Sequence, residues 1–324
     1  MPYTVQATTF AGFDVLWKQT RSQLNWNCLF MLPFWLQTVH EHAGRCGEPL
    51  LLTVRDGDTC VGIAPLVVAN ETVFFLGNPE VCDYQDLIAA PGCERSVLQA
   101  VAGHLSERGL KRLDLGTLRP DAVALTALHQ LAHDGLLELS LVDDDVTFET
   151  ALPASWELYL QQLDGKQRHE VRRKLRRLES SARIVLHTAG EDDLRSCTDA
   201  FIALFRRNRE DKAAFMTNGM EAYFRTLITE SARHQMLGLH LLMVDDQTAA
   251  SVLCFDYNGV RYLYNSGYDQ RYQDLSVGVL SKLFSIQRGI EMGCRRYDFL
   301  KGAEIYKKRI GGSQVPLYRC RVTL

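Results

Sequence analysis

The stretch that decides the fold runs from residue 258 to residue 302 and reads NGVRYLYNSGYDQRYQDLSVGVLSKLFSIQRGIEMGCRRYDFLKG. Its first two residues, Asn258-Gly259, are a strong signal for a two-residue turn between antiparallel strands. Gly293 stands where glycine commonly ends a helix. Together with the residues just before it, this stretch predicts three strands, at Leu239–Val244, Ala249–Tyr257 and Val260–Ser266. A loop (Gly267–Leu275), a helix (Ser276–Met292) and a last strand (Arg296–Leu300) follow.

The first half of the chain repeats this order in weaker form. In each half, a predicted helix ends at a glycine (Gly109 or Gly293), and a similar strand follows: Arg112-Leu113-Asp114-Leu115 or Arg296-Tyr297-Asp298-Phe299. Self-similarity of this kind is typical of a duplicated domain. The alternative is coincidence, since a helix–glycine–strand unit is common in α/β proteins. We therefore predict an α/β protein with two lobes, each a twisted mixed sheet flanked by helices, with the bounds 1–150 and 151–324.

Composition excludes several protein classes. The 324 residues are 46% hydrophobic and 23% charged, which is ordinary for a globular protein. No apolar run is long enough to span a bilayer, and no signal-peptide pattern opens the chain. Nine cysteines without a C-x-x-C pair, and histidines without metal spacing, predict no metal site and a reducing, cytoplasmic location. Walker A, Rossmann and Gly-x-Ser-x-Gly motifs are absent from the sequence.

The net charge of −3 is the sum of two unequal halves. Residues 1–150 carry 9 basic against 19 acidic side chains, whereas residues 151–324 carry 27 against 20. A basic second half joined to an acidic first half indicates that the second half binds an anion. The alternative is that these charges only solvate the surface.

The loop before the predicted helix is the first candidate site. It reads Gln273-Asp274-Leu275-Ser276-Val277-Gly278. The first amides of a helix lack partners within the helix, and the helix dipole favours an anion there. We expect Gln273, Ser276, Val277 and Gly278 to bind a diphosphate, with Ser276 capping the helix and Gly278 allowing close approach. The alternative is an ordinary helix start.

A second candidate is the predicted helix over Lys166–Ala182. Its apolar residues share one face, and a dense row of basic residues, which includes Arg172 and Arg173, lies on the opposite face. Like charges at this spacing destabilise a helix. We therefore expect Arg172 and Arg173 to contact an anionic ligand, such as the phosphate of a cofactor, an RNA or a lipid. The alternative is a solvated face that pairs with acidic residues of the first half.

The third candidate follows the strand Arg296–Leu300. Asp298, Tyr306 and Lys307 place a carboxylate, a phenol and an amine within ten residues of one another. Such groups deprotonate amines, protonate leaving thiolates or hold an acidic acceptor. Asp256 and Asp269, at strand ends, are further candidates. The alternative for Asp298 and Lys307 is an ordinary ion pair.

Taken together, these residues resemble the GNAT-type acetyltransferase domain of CelD-like proteins of cellulose and exopolysaccharide biosynthesis. That group is related to the Fem-type aminoacyltransferases, which use two GNAT-like lobes. The similarity spans most of the chain after about residue 30, and it rests on the order and spacing of the matching stretches. The matching stretches are 75–77, 82–87, 168–179, 205–209, 264–269, 276–278, 297–302 and 306–307.

The resemblance implies a splayed opening in each sheet, with acetyl-CoA or another acyl-CoA bound to the second lobe. It implies direct acyl transfer to an amine or hydroxyl, without a covalent enzyme intermediate. Asp83, Tyr84 and Asp269 fall in matching stretches and are expected to bind substrate or an anion. Two departures stand out: Val277 replaces a usual proline, and Asn208 or Arg209 replaces an aromatic residue.

The leading expectation is an acyl-CoA-dependent N- or O-acyltransferase that acts on a sugar, amino-sugar or other small-molecule acceptor in polysaccharide biosynthesis. One alternative is a Fem-type transferase that uses aminoacyl-tRNA, which the basic helix fits. The other alternative is a catalytically degenerate binding protein, because Ser276 stands where the family motif has glycine.

Overall fold

The computed structural model describes residues 3–208 and 210–324. The chain divides into two compact units: unit 1 comprises Met1–Val146 and Val315–Leu324, and unit 2 comprises Thr147–Gln314. The division expected from the sequence, at residue 150, placed the last strand in the second lobe, whereas the structure places most of that strand in unit 1. That strand belongs to unit 1 because its residues 318–323 pair with residues 112–118.

From residue 3 onward, where the structure describes it, unit 1 is a mixed sheet with four helices. The helices are α1 Phe10–Thr20, α2 Pro33–His42, α3 Glu94–Glu107 and α4 Val123–His133, and a short 3₁₀ helix spans Leu29–Met31. The strands are β1 Thr4–Thr8, β2 Glu48–Asp56, β3 Thr59–Ala69, β4 Thr72–Phe75, β5 Ile88–Ala89, β6 Arg112–Leu118, β7 Glu138–Ala151 and β13 Ser313–Thr323. Of the last two strands, unit 1 contains β7 as far as Val146 and β13 from Val315 onward. Their order is β1-β2-β3-β4-β6-β13-β7, and β5 pairs with β3.

Unit 2 is built on the same plan. Its helices are α5 Trp156–Gln162, α6 Gly165–Ser181, α7 Leu194–Asn208, α8 Glu210–Phe215, α9 Asn218–Arg233, α10 Val277–Glu291 and α11 Ile305–Arg309, and a 3₁₀ helix spans Gln270–Leu275. Its strands are the end of β7, β8 Ile184–Thr188, β9 Leu237–Val244, β10 Gln247–Tyr257, β11 Val260–Tyr268 and β12 Arg296–Lys301. They are ordered β7-β12-β11-β10-β9-β8. The predicted α/β class, with mixed sheets flanked by helices, is confirmed.

Turn chemistry explains why the central hairpin of unit 2 forms. Asn258 and Gly259 both adopt positive φ, 50° and 76°, as a tight hairpin turn requires. The turn sets the antiparallel register of β10 and β11, from Tyr257↔Val260 to Ala250↔Tyr268. Gly293, with φ 75°, ends α10 as predicted. These local signals position the strands that lead into the candidate site.

The central strands of unit 2 are covered on both faces. Helices α7 and α10 both pack on β10 and β11, so these strands are buried almost without interruption. Helix α10 turns one apolar row inward, and its buried members include Val277, Leu280, Leu283, Ile286 and Ile290. Burial of this row fixes where the first turn of α10 lies relative to the sheet.

Strand β7 is not predicted by the sequence. Its 14 residues include the acidic run Asp143–Asp145, which is unfavourable for a strand. The strand accommodates Asp144 because its carboxylate accepts hydrogen bonds from the Thr117 amide at 2.8 Å and the Arg319 guanidinium at 2.9 Å. The compensating arginine lies 175 residues further along the chain, so no local pattern reveals it.

Across the described residues, the helices are too short or too polar to cross a membrane.

Candidate active site

Strands β11 and β12 diverge and leave a wedge between them. Their parallel pairing covers only Val260↔Arg296, Arg261↔Tyr297 and Tyr262↔Asp298. Beyond these pairs, β11 continues to Tyr268, and β12 instead follows β7 to Lys301. Strands β4 and β6 of unit 1 diverge in the same way, after Val73↔Leu113. The splayed opening implied by the family resemblance is therefore present in both units.

Helix α10 begins beside the end of β11, and its first amides are available. Ser276 precedes the helix in the left-handed region, with φ 58°. Its carbonyl accepts from the amides of Val279 and Leu280. No group among the described residues accepts from the amides of Val277 or Gly278. These two amides and the helix dipole make the start of α10 favourable for an anion.

Lys174 adds a positive charge at the same point. Its Nζ, on α6, donates to Ser276 Oγ at 3.0 Å and lies 3.2 Å from Glu170. The Ser276 side chain therefore does not cap α10, contrary to the prediction, because its hydroxyl instead accepts from Lys174. The consequence is an ammonium group held next to two available amides.

Gly278 is required for a different reason from the predicted one. A Cβ added at Gly278 would lie 2.8 Å from Cδ1 of the Tyr268 ring, closer than any real contact. The absence of a side chain thus lets α10 begin directly against the last residue of β11. Gly278 shapes this corner whether or not a phosphate approaches it.

The loop before α10 is held by its own side chains. Asp269 accepts from the Arg271 amide at 2.9 Å and forms an ion pair with the Arg271 guanidinium at 2.7 Å. Arg271 accordingly lowers the pKa of Asp269. Gln273 lies exposed, and its carbonyl accepts from the Ser276 amide. The contacts of Asp269 fit a structural role in this loop better than the predicted role in anion binding.

Asn208 supports the loop from α7. Its side-chain amide donates to the Tyr268 backbone carbonyl at 3.2 Å, and its backbone carbonyl accepts from the Gln270 side chain at 2.9 Å. It occupies one of the two positions where the resemblance leads us to expect an aromatic residue. The other, Arg209, lies outside the described residues.

Asp298 is placed differently from the prediction. Its side chain is fully buried in β12, and Oδ1 accepts from the Leu300 amide at 2.8 Å and from Thr147 Oγ1 at 3.4 Å. The β12–β7 register shifts at this position, and Leu300 has φ 60°. Asp298 therefore stabilises an irregular strand end, which argues against the predicted acid–base role.

Lys307 is equally committed to structure. Its Nζ donates to the carbonyls of Leu300, Lys301 and Gly302 at 2.8, 2.7 and 3.0 Å and lies 2.9 Å from Glu304. The residue is 1% exposed. An ammonium has three N–H donors, and all three are used. The prediction that Lys307 holds a substrate carboxylate or phosphate does not fit these contacts, nor does the alternative Asp298–Lys307 ion pair.

Tyr306 is the predicted acid–base residue that remains suitably placed. It is partly exposed on α11, the helix that follows β12. Burial, and then the nearby Glu304 and Cys254, raise the pKa of Tyr306. Its phenol therefore stays protonated at neutral pH and is a proton donor, not a base. The ring also faces Lys282, whose Nζ lies 4.9 Å from the ring centroid.

The polar face of α6 divides into paired and unpaired basic residues. Arg173 binds Glu170 through two hydrogen bonds of 2.8 Å, and these bonds are the main reason that the pKa of Glu170 falls to about 2. Arg172 is exposed, and no described carboxylate lies within ion-pair distance of it or of its neighbours Arg168 and Arg176. Of the two predicted anion contacts, Arg172 is available and Arg173 is already paired.

Asp256 also fails as a proton carrier. Both of its carboxylate oxygens accept from the Arg261 guanidinium, at 2.7 and 2.6 Å. Arg261 has no solvent exposure and is enclosed by α10, where the Ser285 carbonyl accepts from it at 3.0 Å. This bidentate pair holds β10, β11 and α10 together.

The predicted contacts of unit 1 lie mostly in its core. Tyr84 is 4% exposed, packs edge-on against Phe30 at 5.6 Å and lies beneath the Arg119 guanidinium. These contacts give Tyr84 a packing role, and its predicted contact with substrate stays a prediction. Asp83, next to it, is partly buried.

Sequence reasoning missed three lysines that the fold brings to the wedge: Lys174, Lys212 and Lys282. Lys174 belongs to a helix that reaches Ser276 across 102 residues of sequence. Lys212, on α8, donates to the Ser266 carbonyl in the diverging part of β11 at 2.6 Å. Lys282 lies one turn into α10. Only for Lys282 did a signal exist, since a lysine interrupts the apolar row of that helix.

Comparison with known proteins agrees with this geometry. Residues 165–308, within unit 2, match a family model described as Acetyltransferase (GNAT) domain. No curated protein matches the chain. The family match covers the wedge, the start of α10 and Tyr306. The CelD-like group, which neither comparison names, stays a prediction.

Several solved structures share the fold along the whole chain. A crystal structure of FemX is 11% identical over 98% of this chain and 96% of its own, with a TM-score of 0.64. A conserved protein of unknown function from Bacteroides thetaiotaomicron VPI-5482 is 12% identical over 99% of both chains, with a TM-score of 0.62. A tandem GNAT protein from the clavulanic acid biosynthesis pathway is 12% identical over 98% of both, with a TM-score of 0.52. At these identities the likeness shows the fold alone, and it confirms the predicted tandem GNAT-like architecture.

Proposed function

We propose that unit 2 binds acyl-CoA and that the protein is an acyl-CoA-dependent N- or O-acyltransferase. The observation that carries this proposal is the start of α10, where two available amides and the Lys174 ammonium meet at the wedge between β11 and β12. A diphosphate accepts hydrogen bonds from such amides and is attracted by the helix dipole and the ammonium. The match of residues 165–308 to the GNAT domain supports the same assignment.

The wedge suits a thioester next to an acceptor. Where β11 leaves β12, its backbone groups no longer pair with that strand, so they are able to bind the pantetheine arm and orient the thioester. The acceptor nitrogen or oxygen attacks the acyl carbon, and the carbon–sulfur bond breaks with its electron pair on sulfur. We assign to Tyr306, which is protonated at neutral pH, the transfer of a proton to the thiolate.

The acceptor class comes from the resemblance to CelD-like proteins of polysaccharide biosynthesis. It puts sugars and amino-sugars first, ahead of other small molecules. Acyl-CoA is a cytoplasmic metabolite, so the reaction is placed in the cytoplasm.

Gly278→Trp is expected to raise the KM for acetyl-CoA at least about 100-fold, because an indole would fill the corner between α10 and Tyr268. The measurement is release of the CoA thiol, followed with a thiol reagent over a panel of amino-sugars and sugars. Gly103→Trp is the matched control, since Gly103 is exposed and a Cβ there meets no atom within 4 Å. No acceptor-dependent thiol release from the folded wild-type protein would count against the proposal.

A second candidate is a Fem-type transfer that uses aminoacyl-tRNA. It is favoured by the arginines of α6 that form no ion pair with a described carboxylate (the exposed Arg172 and Arg176 and the half-buried Arg168), and by the shared fold with FemX. It predicts that nucleic acid co-purifies with the protein and dissociates as salt is raised, which lowers the 260/280 nm absorbance ratio. The third candidate, a degenerate binding protein, predicts that Gly278→Trp leaves function in cells unchanged.

A further inference from the structure

Lys282 is a buried amine that no part of the proposed reaction uses so far. It lies on α10 and is 8% exposed. Its Nζ donates to the Gly278 carbonyl at 2.7 Å and faces the Tyr306 ring at 4.9 Å. Within the described residues, no carboxylate lies within ion-pair distance of it. A buried ammonium without a carboxylate is costly, and such groups cluster at functional sites.

Lys282 lies near groups attached to both diverging strands. The charge of Lys212, whose ammonium is fixed to the Ser266 carbonyl in the diverging part of β11, acts on Lys282. Tyr306, whose ring Lys282 faces, lies on the helix that follows β12. Lys282 itself is one helical turn beyond the proposed diphosphate site.

The charges around Lys282 favour its neutral form. Burial, followed by the positive charge of Lys212 and that of Lys307, lowers the pKa of Lys282 to about 7, while Glu304 and Cys254 act in the opposite direction. Tyr306, whose ring Lys282 faces, stays neutral because burial raises its pKa. Near neutral pH a large fraction of Lys282 thus carries a lone pair, as a general base must.

We propose that Lys282 is the general base that takes the proton from an amine acceptor during acyl transfer. This inference rests on the proposed function and adds to it that the acceptor is an amine. The amine lone pair forms the carbon–nitrogen bond, and the amine proton passes to Lys282 Nζ. The carbon–sulfur bond breaks, the thiolate takes the proton of Tyr306, and Lys282 returns its proton to the Tyr306 oxygen. The products are an amide and free CoA thiol, and both side chains end as they began.

The sign of the pH dependence follows from this role. A base acts only when it is unprotonated, so kcat/KM rises with pH and levels off above a pKa near 7. An electrostatic role for a charged Lys282 would give the opposite slope, since the charge is lost as pH rises.

The test compares Lys282→Met, Lys282→Arg and the surface control Lys111→Met, using acetyl-CoA and the amino-sugar that gives the fastest thiol release. We expect both Lys282 variants to lose about 10²–10⁴-fold in kcat and the rising limb of the pH profile, as removal of a general base does. Lys111→Met, an exposed residue of unit 1, keeps both. Lys282→Met is expected to melt at the same or a higher temperature at pH 6, because a buried charge is removed.

The outcomes separate the two proposals. If wild-type protein neither binds acetyl-CoA nor releases thiol, the proposed function fails and Lys282 fails with it. If wild-type protein is active but Lys282→Met keeps the rising limb, or Lys282→Arg keeps full activity, only the role of Lys282 is overturned. Calorimetric binding of acetyl-CoA by Lys282→Met at wild-type affinity shows that the variant is folded and that the loss lies in the chemical step.

Discussion

Lys307→Met is expected to lower the free energy of unfolding by about 3 kcal/mol, because removal of the buried ammonium leaves carbonyls without a donor and each unsatisfied buried acceptor costs about 1–3 kcal/mol. The ammonium of Lys307 binds three consecutive carbonyls, at residues 300–302, and the Glu304 carboxylate. Methionine fills similar space but donates nothing, so these buried acceptors lose their partners. Two of the three residues, Leu300 and Gly302, have positive φ, and this conformation depends on the same bonds.

Denaturant unfolding followed by circular dichroism measures the effect. Lys308→Met is the matched control, because Lys308 is the next residue and its side chain is exposed. It should change stability by less than about 0.5 kcal/mol, as surface substitutions usually do. Equal midpoints for the two variants would show that Lys307 has no structural role and would reopen its predicted contact with substrate.

Gly267→Ala is expected to destabilise the protein by about 2–4 kcal/mol, at the upper end of the cost of overpacking, because backbone atoms rather than a mobile side chain oppose the new methyl group. The added Cβ would lie 2.8 Å from the carbonyl carbon of Leu204 and 2.8 Å from the amide nitrogen of Phe205, both in α7. Strand β11 must then move away from α7, which shifts the wedge as well.

Gly103→Ala provides the contrast for Gly267→Ala. Its Cβ meets nothing within 4 Å, and it lies inside α3, where alanine is favoured over glycine by up to about 1 kcal/mol. Melting temperatures of the two variants should therefore move in opposite directions. A Gly267→Ala protein as stable as wild type would mean that α7 and β11 are not in contact as described.

Local signals in the sequence were sufficient for the central hairpin of unit 2 and for two helix ends. Asn258-Gly259 specified a hairpin because few other residues adopt two positive φ values in succession. Gly109 and Gly293 marked two helix ends for the same steric reason, with φ of 78° and 75°. Strand β7 could not be found in this way, because Asp144 is tolerated only through Arg319, a residue distant in sequence.

The candidate site was predicted only where it is local. The start of α10 lies in one hexapeptide, so its position was predicted correctly. The Ser276 hydroxyl, however, accepts from Lys174 and does not cap the helix. Asp298 and Lys307 were predicted to take part in catalysis or substrate binding, because sequence spacing does not reveal which carbonyls and amides surround a side chain. Lys174, Lys212 and Lys282 come from three separate helices, and only folding brings them to one place.

Calorimetric titration of acetyl-CoA into the wild-type protein, Gly103→Trp and Gly278→Trp tests whether the start of α10 binds the diphosphate of acyl-CoA. We expect saturable binding of one molecule per chain by the wild-type protein and by Gly103→Trp, and loss of that binding in a folded Gly278→Trp. Absence of binding at millimolar acetyl-CoA, or equal affinity in all three proteins, would show that the diphosphate does not bind there.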